Sequence, residues 1–94
     1  MRITLRIKKV YFDAIREGSK TYELRDDTEY YRRMFEGRER HIDELMLHYQ
    51  RPERLYVEVK SVRRIKTPET STLMKNEHCW KLTLGKVRYE RVRK

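Results

Sequence analysis

The chain has 94 residues, 37% of them apolar and 41% charged, so residues 1–94 can form one domain with a modest core. Its 24 lysines and arginines exceed its 15 acidic residues and give a net charge of +9, which favours a polyanionic partner, most simply nucleic acid. A single cysteine, Cys79, excludes an intrachain disulfide and a cysteine zinc cluster, and without a long apolar run the chain is predicted to be cytoplasmic, with no membrane partner.

The first half of the chain predicts two strands, each followed by a short helix. The strand patterns cover 2–8 and 20–25, and the helix patterns cover 9–17 and 29–36. Gly18 follows the first helix, where a C-terminal glycine is common. Before the second helix, the segment 26–28 offers side chains that can cap it.

The second half of the chain predicts four further strands, at 45–49, 55–65, 79–84 and 86–92. A broken alternation near Ser61 predicts a bulge, Gly85 is expected to be a hinge between the last two strands, and 67–76 is predicted to be a short helix or an ordered loop. Six strands with one to three short helices predict an α+β fold built on a small mixed β-barrel. The expected core consists of Ile3, Leu5, Tyr22, Leu24, Leu47, Val57, Val59, Trp80, Leu82 and Leu84.

The turn and strand at 18–25 carry the candidate site. In an alternating strand, Glu23 and Arg25 project from one face. Tyr22 and Leu24 project from the other, toward the core. Lys20 has the parity of the core-facing side chains, so it must either lie in the turn before the strand or be a buried lysine. We predict that the three charged side chains line one cleft, with Glu23 paired to a cation. The alternative is an exposed ion pair on a solvated strand face.

The spacing G-x-K-x-x-E-x-R in this segment resembles the signature of the ASCH domains, a branch of the PUA-like superfamily. The matching residues are Gly18, Lys20, Glu23 and Arg25, and the residues at 11–15 and 80–87 resemble the family's short helix and closing strand. The family's Gly-Asp pair before the third strand is represented by Asp43, with Ile42 in place of the glycine. The resemblance implies a PUA-like barrel whose motif faces a cleft beside the flanking helices.

The resemblance also implies candidate roles and activities. In that cleft Glu23 would accept from a base or hold Lys20, and Arg25 would bind phosphate or orient Glu23. Some ASCH members are amidohydrolases that act on acetylated cytidine, with a catalytic motif lysine that Lys20 matches, a threonine where Glu23 stands, and a later glutamate in the region of Glu69 and Glu77. Another member is a ribonuclease. If the chain is an enzyme, the catalytic candidates are therefore Lys20 and Glu23.

Further candidates for nucleic-acid binding lie outside the motif. Aromatic rings lie beside guanidinium groups in the second predicted helix, and a basic pair lies in the longest strand; such groups stack on bases and bind phosphates. The residues are Tyr30, Arg32, Arg33, Arg63 and Arg64. The alternative is that the tyrosines pack in the core beside a solvated arginine face.

The three histidines lack metal-ligand spacing, so no metal or cofactor is expected.

The leading hypothesis from the sequence is a monomeric domain that binds nucleic acid, RNA rather than DNA, in a basic cleft around Lys20, Glu23 and Arg25. One alternative is a small hydrolase that uses the same cleft, either on a modified nucleoside or on RNA. A second alternative is a protein-interaction module whose basic surface binds an acidic partner.

Overall fold

The fold is an α+β arrangement of five strands and two short helices within residues 1–50, 52–71 and 74–92, which the computed structural model describes. In chain order the elements are β1 (Arg2–Arg6), α1 (Lys9–Glu17), β2 (Tyr22–Asp26), α2 (Glu29–Phe35), β3 (Glu44–His48), β4 (Glu53–Lys66) and β5 (His78–Arg91). Both helices lie close to their predicted positions, and α2 begins after Thr28, whose side chain accepts from the N–H of Tyr31 (3.2 Å).

The five strands form one mixed sheet in the order β1-β3-β4-β5-β2. The β1–β3 pair is parallel and the other three pairs are antiparallel. The sheet curls into a half-barrel, which agrees with a small barrel-like fold. Because β1 and β2 are the two ends of this order, β2 has a strand partner on one side only among the residues that the structure describes.

In the long strands β4 and β5, the predicted hinge at Gly85 is absent and the predicted bulge near Ser61 is present. The two strands expected on either side of Gly85 are a single continuous strand. Register shifts on both sides of Val59 mark two bulges. The first sets Gly85 and Lys86 opposite Glu58, whose Oε1 accepts the Lys86 N–H (3.2 Å). The second lies between Val59 and Ser61, so the predicted bulge near Ser61 is confirmed.

The core lies between the concave face of the sheet and the two helices. Seven of the predicted core residues are buried there: Leu5, Leu47, Val57, Val59, Trp80, Leu82 and Leu84. The helices add Phe12, Ile15 and Phe35, and Ile3 packs at the margin. The prediction was wrong for Tyr22, which is 43% exposed to solvent, and Leu24 is only half-buried.

The segment 67–76 forms a turn at residues 69–70 and no helix among its described residues, which contradicts the helix alternative for that part. The prediction for 72 and 73 lies outside the described residues. Thr67 joins the segment to the start of β5, because its N–H donates to the carbonyl of Glu77 (2.8 Å) and its hydroxyl donates to that of Asn76 (2.8 Å). This segment therefore returns to the sheet next to β2.

We expect Leu82→Ala to lower the free energy of unfolding by about 2–5 kcal/mol, because Leu82 is fully buried in the middle of β5 and truncation leaves a cavity. Val87→Ala in the same strand removes apolar atoms from a more exposed position and is the matched control. Urea unfolding measures both values. A loss at Leu82 no larger than that at Val87 would show that β5 is not central to the core.

Candidate functional site

The site begins at the tight turn between α1 and β2. Gly18 ends α1 with a positive φ of 87°, a conformation that favours glycine, and its N–H donates to Ile15 (3.1 Å). The N–H of Lys20 then donates to the carbonyl of Ala14 (3.1 Å), which fixes the chain as it enters the strand. Lys20 thus lies between the turn and β2, as the first of the two sequence-based alternatives required.

Glu23 lies on the core face of β2, which reverses the predicted facing of this strand. It is only 6% exposed and stands opposite the fully buried Leu82 in the register, whereas Tyr22 faces outward. The alternation itself was predicted correctly, since Glu23 and Arg25 share a face. The buried carboxylate is tolerated here because cations on both sides compensate its charge.

Glu23 forms ion pairs with both predicted cations. Its Oε1 lies 3.3 Å from the Nζ of Lys20, and its Oε2 accepts from Nε (3.0 Å) and NH2 (2.7 Å) of Arg25. The predicted pairing of Glu23 with a cation is confirmed, and it extends to two cations. The three charged groups therefore form one cluster at β2 and the turn that precedes it.

Arg25 uses most of its donors inside the protein. Beyond Glu23, its NH1 donates to the hydroxyl of Tyr31 (2.9 Å) and its NH2 to the carbonyl of Arg6 (3.0 Å). Burial disfavours the charged guanidinium, but Glu23 and Tyr31 outweigh that effect and raise the pKa of Arg25 above its ordinary value. Four of the five guanidinium N–H groups are occupied, so Arg25 mainly joins β2 to α2 and β1 and orients Glu23.

The charged cluster lines a cleft of about 470 Å³ beside β2. The cations on its wall are Lys8, Lys20 and Arg25, and the aromatic residues are Tyr11, Tyr22 and Tyr31. Pro68, Ser71 and Met74 form part of the opposite wall. A volume of this size lies within the range of about 300–1,000 Å³ that is usual for small-ligand sites. The predicted placement of Lys20, Glu23 and Arg25 along one cleft is therefore observed.

Of the two cations paired with Glu23, Lys20 has more hydrogen-bond donors available for a ligand. Its side chain is 19% exposed, and its ammonium lies 5.3 Å from the ring centre of Tyr11 and 4.9 Å from that of Tyr22. Glu23 is its one carboxylate partner among the described residues. An ammonium has three donors, so Lys20 can bind a ligand anion while it remains paired with Glu23.

Asp26 anchors the opposite wall of the cleft, a role that the sequence did not reveal. Its carboxylate accepts from the N–H of Lys75 (3.2 Å) and from both the N–H (3.3 Å) and the side-chain amide (3.1 Å) of Asn76. Burial raises the pKa of Asp26, but these hydrogen bonds and one from the Asp27 N–H outweigh it and hold the pKa below its usual range. The segment after residue 74 is thus fastened to the end of β2.

Asp27 is a buried carboxylate, 3% exposed, and it accepts from three side chains, two of them far away along the chain. Its Oδ1 accepts from Nε of Arg32 (3.0 Å) and Nε1 of Trp80 (3.2 Å), and its Oδ2 accepts from Arg64 (2.8 and 3.0 Å). Burial raises the pKa of Asp27, but the hydrogen bonds from Arg64 and Arg32 outweigh it and lower the pKa below its usual range. Asp27 therefore joins β2, α2, β4 and β5.

The remaining predicted binding residues lie outside the lining of this cleft. Arg32 and Arg64 are half-exposed and bind Asp27, which gives both a structural role that the sequence did not indicate. Arg33 pairs on the surface with Glu29 (2.7 Å). Tyr30 is exposed and packs edge-on against Tyr31, and Arg63 is exposed on β4. The structure therefore brings together the motif residues but not the basic clusters.

Among the described residues, we find no cluster of metal-binding side chains and no exposed thiol. Within 1–50, 52–71 and 74–92, no group of three histidine, cysteine or acidic side chains is arranged to hold a metal ion. Cys79 is fully buried, and burial raises the pKa of its thiol. This cysteine is accordingly part of the packing of β5.

Comparison with known proteins gives no relative: no protein-family model, curated protein or solved structure matches the chain. In the described part of the chain, neither helix has the length and apolar character needed to cross a bilayer. The functional argument therefore rests on the cleft and its charges.

Proposed function

We propose that the chain is an ASCH-type domain of the PUA-like superfamily that binds RNA, as a cytoplasmic monomer, through the cleft beside β2. The observation that carries this proposal is the cluster of Lys20, Glu23 and Arg25 on one wall of a cleft of about 470 Å³. The net charge of +9 supports a polyanionic ligand.

The residues of the cleft have different roles in binding the ligand. Arg25 orients Glu23, whose carboxylate in turn holds the Lys20 ammonium at the cleft wall. The Lys20 ammonium then binds the phosphate, and Lys8 adds a second positive charge at the same cleft. Tyr11 offers an aromatic ring next to Lys20, and bases stack on such rings. This arrangement suits a nucleotide unit better than a bare anion.

We expect binding to single-stranded RNA to weaken steeply as salt rises, because neutralised phosphates release counterions. Lys20→Ala should reduce affinity and lower the slope of log K against log salt by about 0.7, the value for one phosphate contact on a single strand. Lys86→Ala removes the same charge from an exposed position outside the cleft and is the matched control. Fluorescence anisotropy at several salt concentrations measures both variants.

Two outcomes would contradict this proposal. Equal affinity at low and high salt would exclude electrostatic binding of RNA. If Lys20→Ala and Lys86→Ala weaken binding by the same small amount, net charge acts without the cleft, and the assignment of the site is wrong.

A hydrolase that acts on a modified nucleoside, such as acetylated cytidine, is the second candidate function. It is favoured by the enclosure of Lys20, whose side chain is 19% exposed inside a cleft large enough for a small ligand. Lys20 and Glu23 would be the catalytic residues. Incubation with the acetylated nucleoside, followed by chromatography for free cytidine, tests this function. Turnover that disappears in Lys20→Ala while nucleoside binding persists would establish it, and no turnover in the parent would exclude this substrate.

A further inference from the structure

The ring of Tyr22 is the most unexpected feature of the sheet, because the alternation predicted it in the core. It is 43% exposed and stands at the margin of the cleft, on the convex face of the sheet. Its register partner is Thr83, and Leu24 follows two residues along the same face. Tyr22 belongs neither to the hydrophobic core nor to the partly buried residues that pack against it, so we look for its role on the surface.

Two lysine ammonium groups lie close to this ring. The ammonium of Lys20 lies 4.9 Å and that of Lys81 lies 5.1 Å from the ring centre of Tyr22. Arg63 of β4 stands directly opposite Lys81 in the register, so both side chains share a face with Tyr22. Among the described residues, no carboxylate lies within ion-pair distance of Lys81 or Arg63. We call Tyr22, Lys81 and Arg63 the outer platform.

We propose that the outer platform binds a single-stranded nucleic acid that continues out of the cleft, with one base stacked on the ring of Tyr22. The inference rests on the proposed function, because it extends the same ligand across the sheet. Lys20 stands between the cleft and the platform and serves both. Beyond Tyr22, Lys81 on β5 and Arg63 on β4 lie next to each other across the sheet and bind the next phosphates.

The energetics favour a base over the resident ammonium groups at the ring. An exposed ring attracts an ammonium more weakly than it attracts a stacked base, so a base can displace one lysine from Tyr22. The displaced ammonium remains on a flexible side chain and can turn toward the phosphate beside that base. The ring and its cations are therefore matched to the two parts of one nucleotide.

The same arrangement favours a single strand over a duplex and over an acidic peptide. Stacking on Tyr22 needs the face of an unpaired base, which a duplex hides within its own stack. An acidic peptide would satisfy Lys81 and Arg63 but would leave the exposed ring of Tyr22 without a planar partner. A single-stranded nucleic acid satisfies both the charge and the ring.

The test compares Tyr22→Leu with Tyr22→Phe, because leucine keeps apolar bulk and phenylalanine keeps the ring. Each variant is titrated with a short single-stranded RNA and with the same RNA in abasic form. Loss of the stacking contact between one base and an aromatic ring lowers affinity about five- to hundred-fold. Tyr22→Leu should therefore weaken binding of the normal RNA by that factor. Tyr22→Phe should bind normally, and neither variant should change binding of the abasic RNA. The exposed ring makes both variants compatible with the fold.

Lys81→Ala separates the phosphate contact from the stacking contact. It should lower the salt slope by about 0.7 for normal and abasic RNA alike. If Tyr22→Leu binds normal RNA as the parent does, or if the abasic RNA loses as much affinity as the normal one, the platform is wrong while cleft binding stands. Tighter binding of an acidic peptide than of RNA would overturn the platform in favour of a protein partner. Failure of the parent to bind RNA at any salt would instead contradict the proposed function itself.

Discussion

Replacing Asp27 with alanine is expected to lower the free energy of unfolding by about 3 kcal/mol, near the lower limit for breaking a buried ion pair. The carboxylate is buried and accepts from Arg32, Arg64 and the indole of Trp80. Its loss leaves the buried indole N–H without an acceptor and two guanidinium groups without their counter-charge. The loss is not larger because both arginines are half-exposed and can be solvated.

The contribution of Asp27 should also depend on pH. Its pKa is lowered in the folded protein, so its stabilisation is complete above the ordinary carboxyl value of about 4 and is lost as the pH falls through the lower folded value. The difference in unfolding free energy between the parent and Asp27→Asn should therefore be constant between pH 5 and 7 and shrink below about pH 4. Denaturant unfolding at each pH measures it.

The control for this prediction is Asp13→Ala, which removes a surface carboxylate paired with Lys9. Solvent screens an exposed pair of this kind and it contributes little to stability, so the variant should unfold almost as the parent does. If Asp27→Ala resembles Asp13→Ala, Asp27 does not join the four elements that it contacts.

The second large effect is expected at the ion pair between Glu23 and Arg25. Arg25→Met should lower the unfolding free energy by about 3 kcal/mol, because it leaves the buried Glu23 with Lys20 alone and removes the bonds to Tyr31 and Arg6. In the double variant Glu23→Gln/Arg25→Met, the uncompensated carboxylate is gone. The double variant should therefore be more stable than the sum of the single variants by about 1–3 kcal/mol.

A double-mutant cycle in urea, with both single variants, gives this coupling energy directly. Additive losses would mean that Glu23 and Arg25 act independently, and the orienting role assigned to Arg25 would then be wrong. The same four proteins can be titrated with RNA. Binding should fall in Arg25→Met through the misplacement of Glu23 and Lys20, although Arg25 itself has only one free donor.

Local patterns in the sequence predicted the elements of the fold well. Gly18 marked the end of α1, and Thr28, within the capping segment, does cap α2. The broken alternation near Ser61 marked a real bulge. These features depend on a few neighbouring residues, which the sequence shows directly. At Gly85 the glycine was interpreted as a hinge, but the strand continues there and bulges opposite Glu58.

The facing of β2 could not be predicted from alternation alone. A period of two shows that Glu23 and Arg25 share a face, but not which face meets the core. Hydrophobicity pointed to Tyr22 and Leu24, whereas at this edge of the sheet the core face accepts Glu23 because Lys20 and Arg25 compensate its charge. The charges that decide the facing are thus known only when the strand is placed in the sheet.

Asp27 was missed for a related reason. Beside Thr28 and a helix pattern, an aspartate indicates helix capping, and this local interpretation is sufficient from the sequence. Its partners Arg64 and Trp80 lie 37 and 53 residues away along the chain. They approach only because β4, β5 and β2 are neighbours in the sheet. Long-range pairing of this kind leaves no pattern in a single sequence.

Within 1–50, 52–71 and 74–92, one edge of β2 has no strand partner, and this edge affects how the protein associates with itself. The N–H of Leu84 donates to Thr21, and bonded pairs alternate in an antiparallel ladder, so the backbone groups of Tyr22 and Leu24 point away from β5. Such an edge can pair with a second molecule, and the net charge of +9 opposes that approach only while salt is low. Raising the salt should therefore favour edge-to-edge association, and light scattering should detect it as a mass that grows with protein concentration.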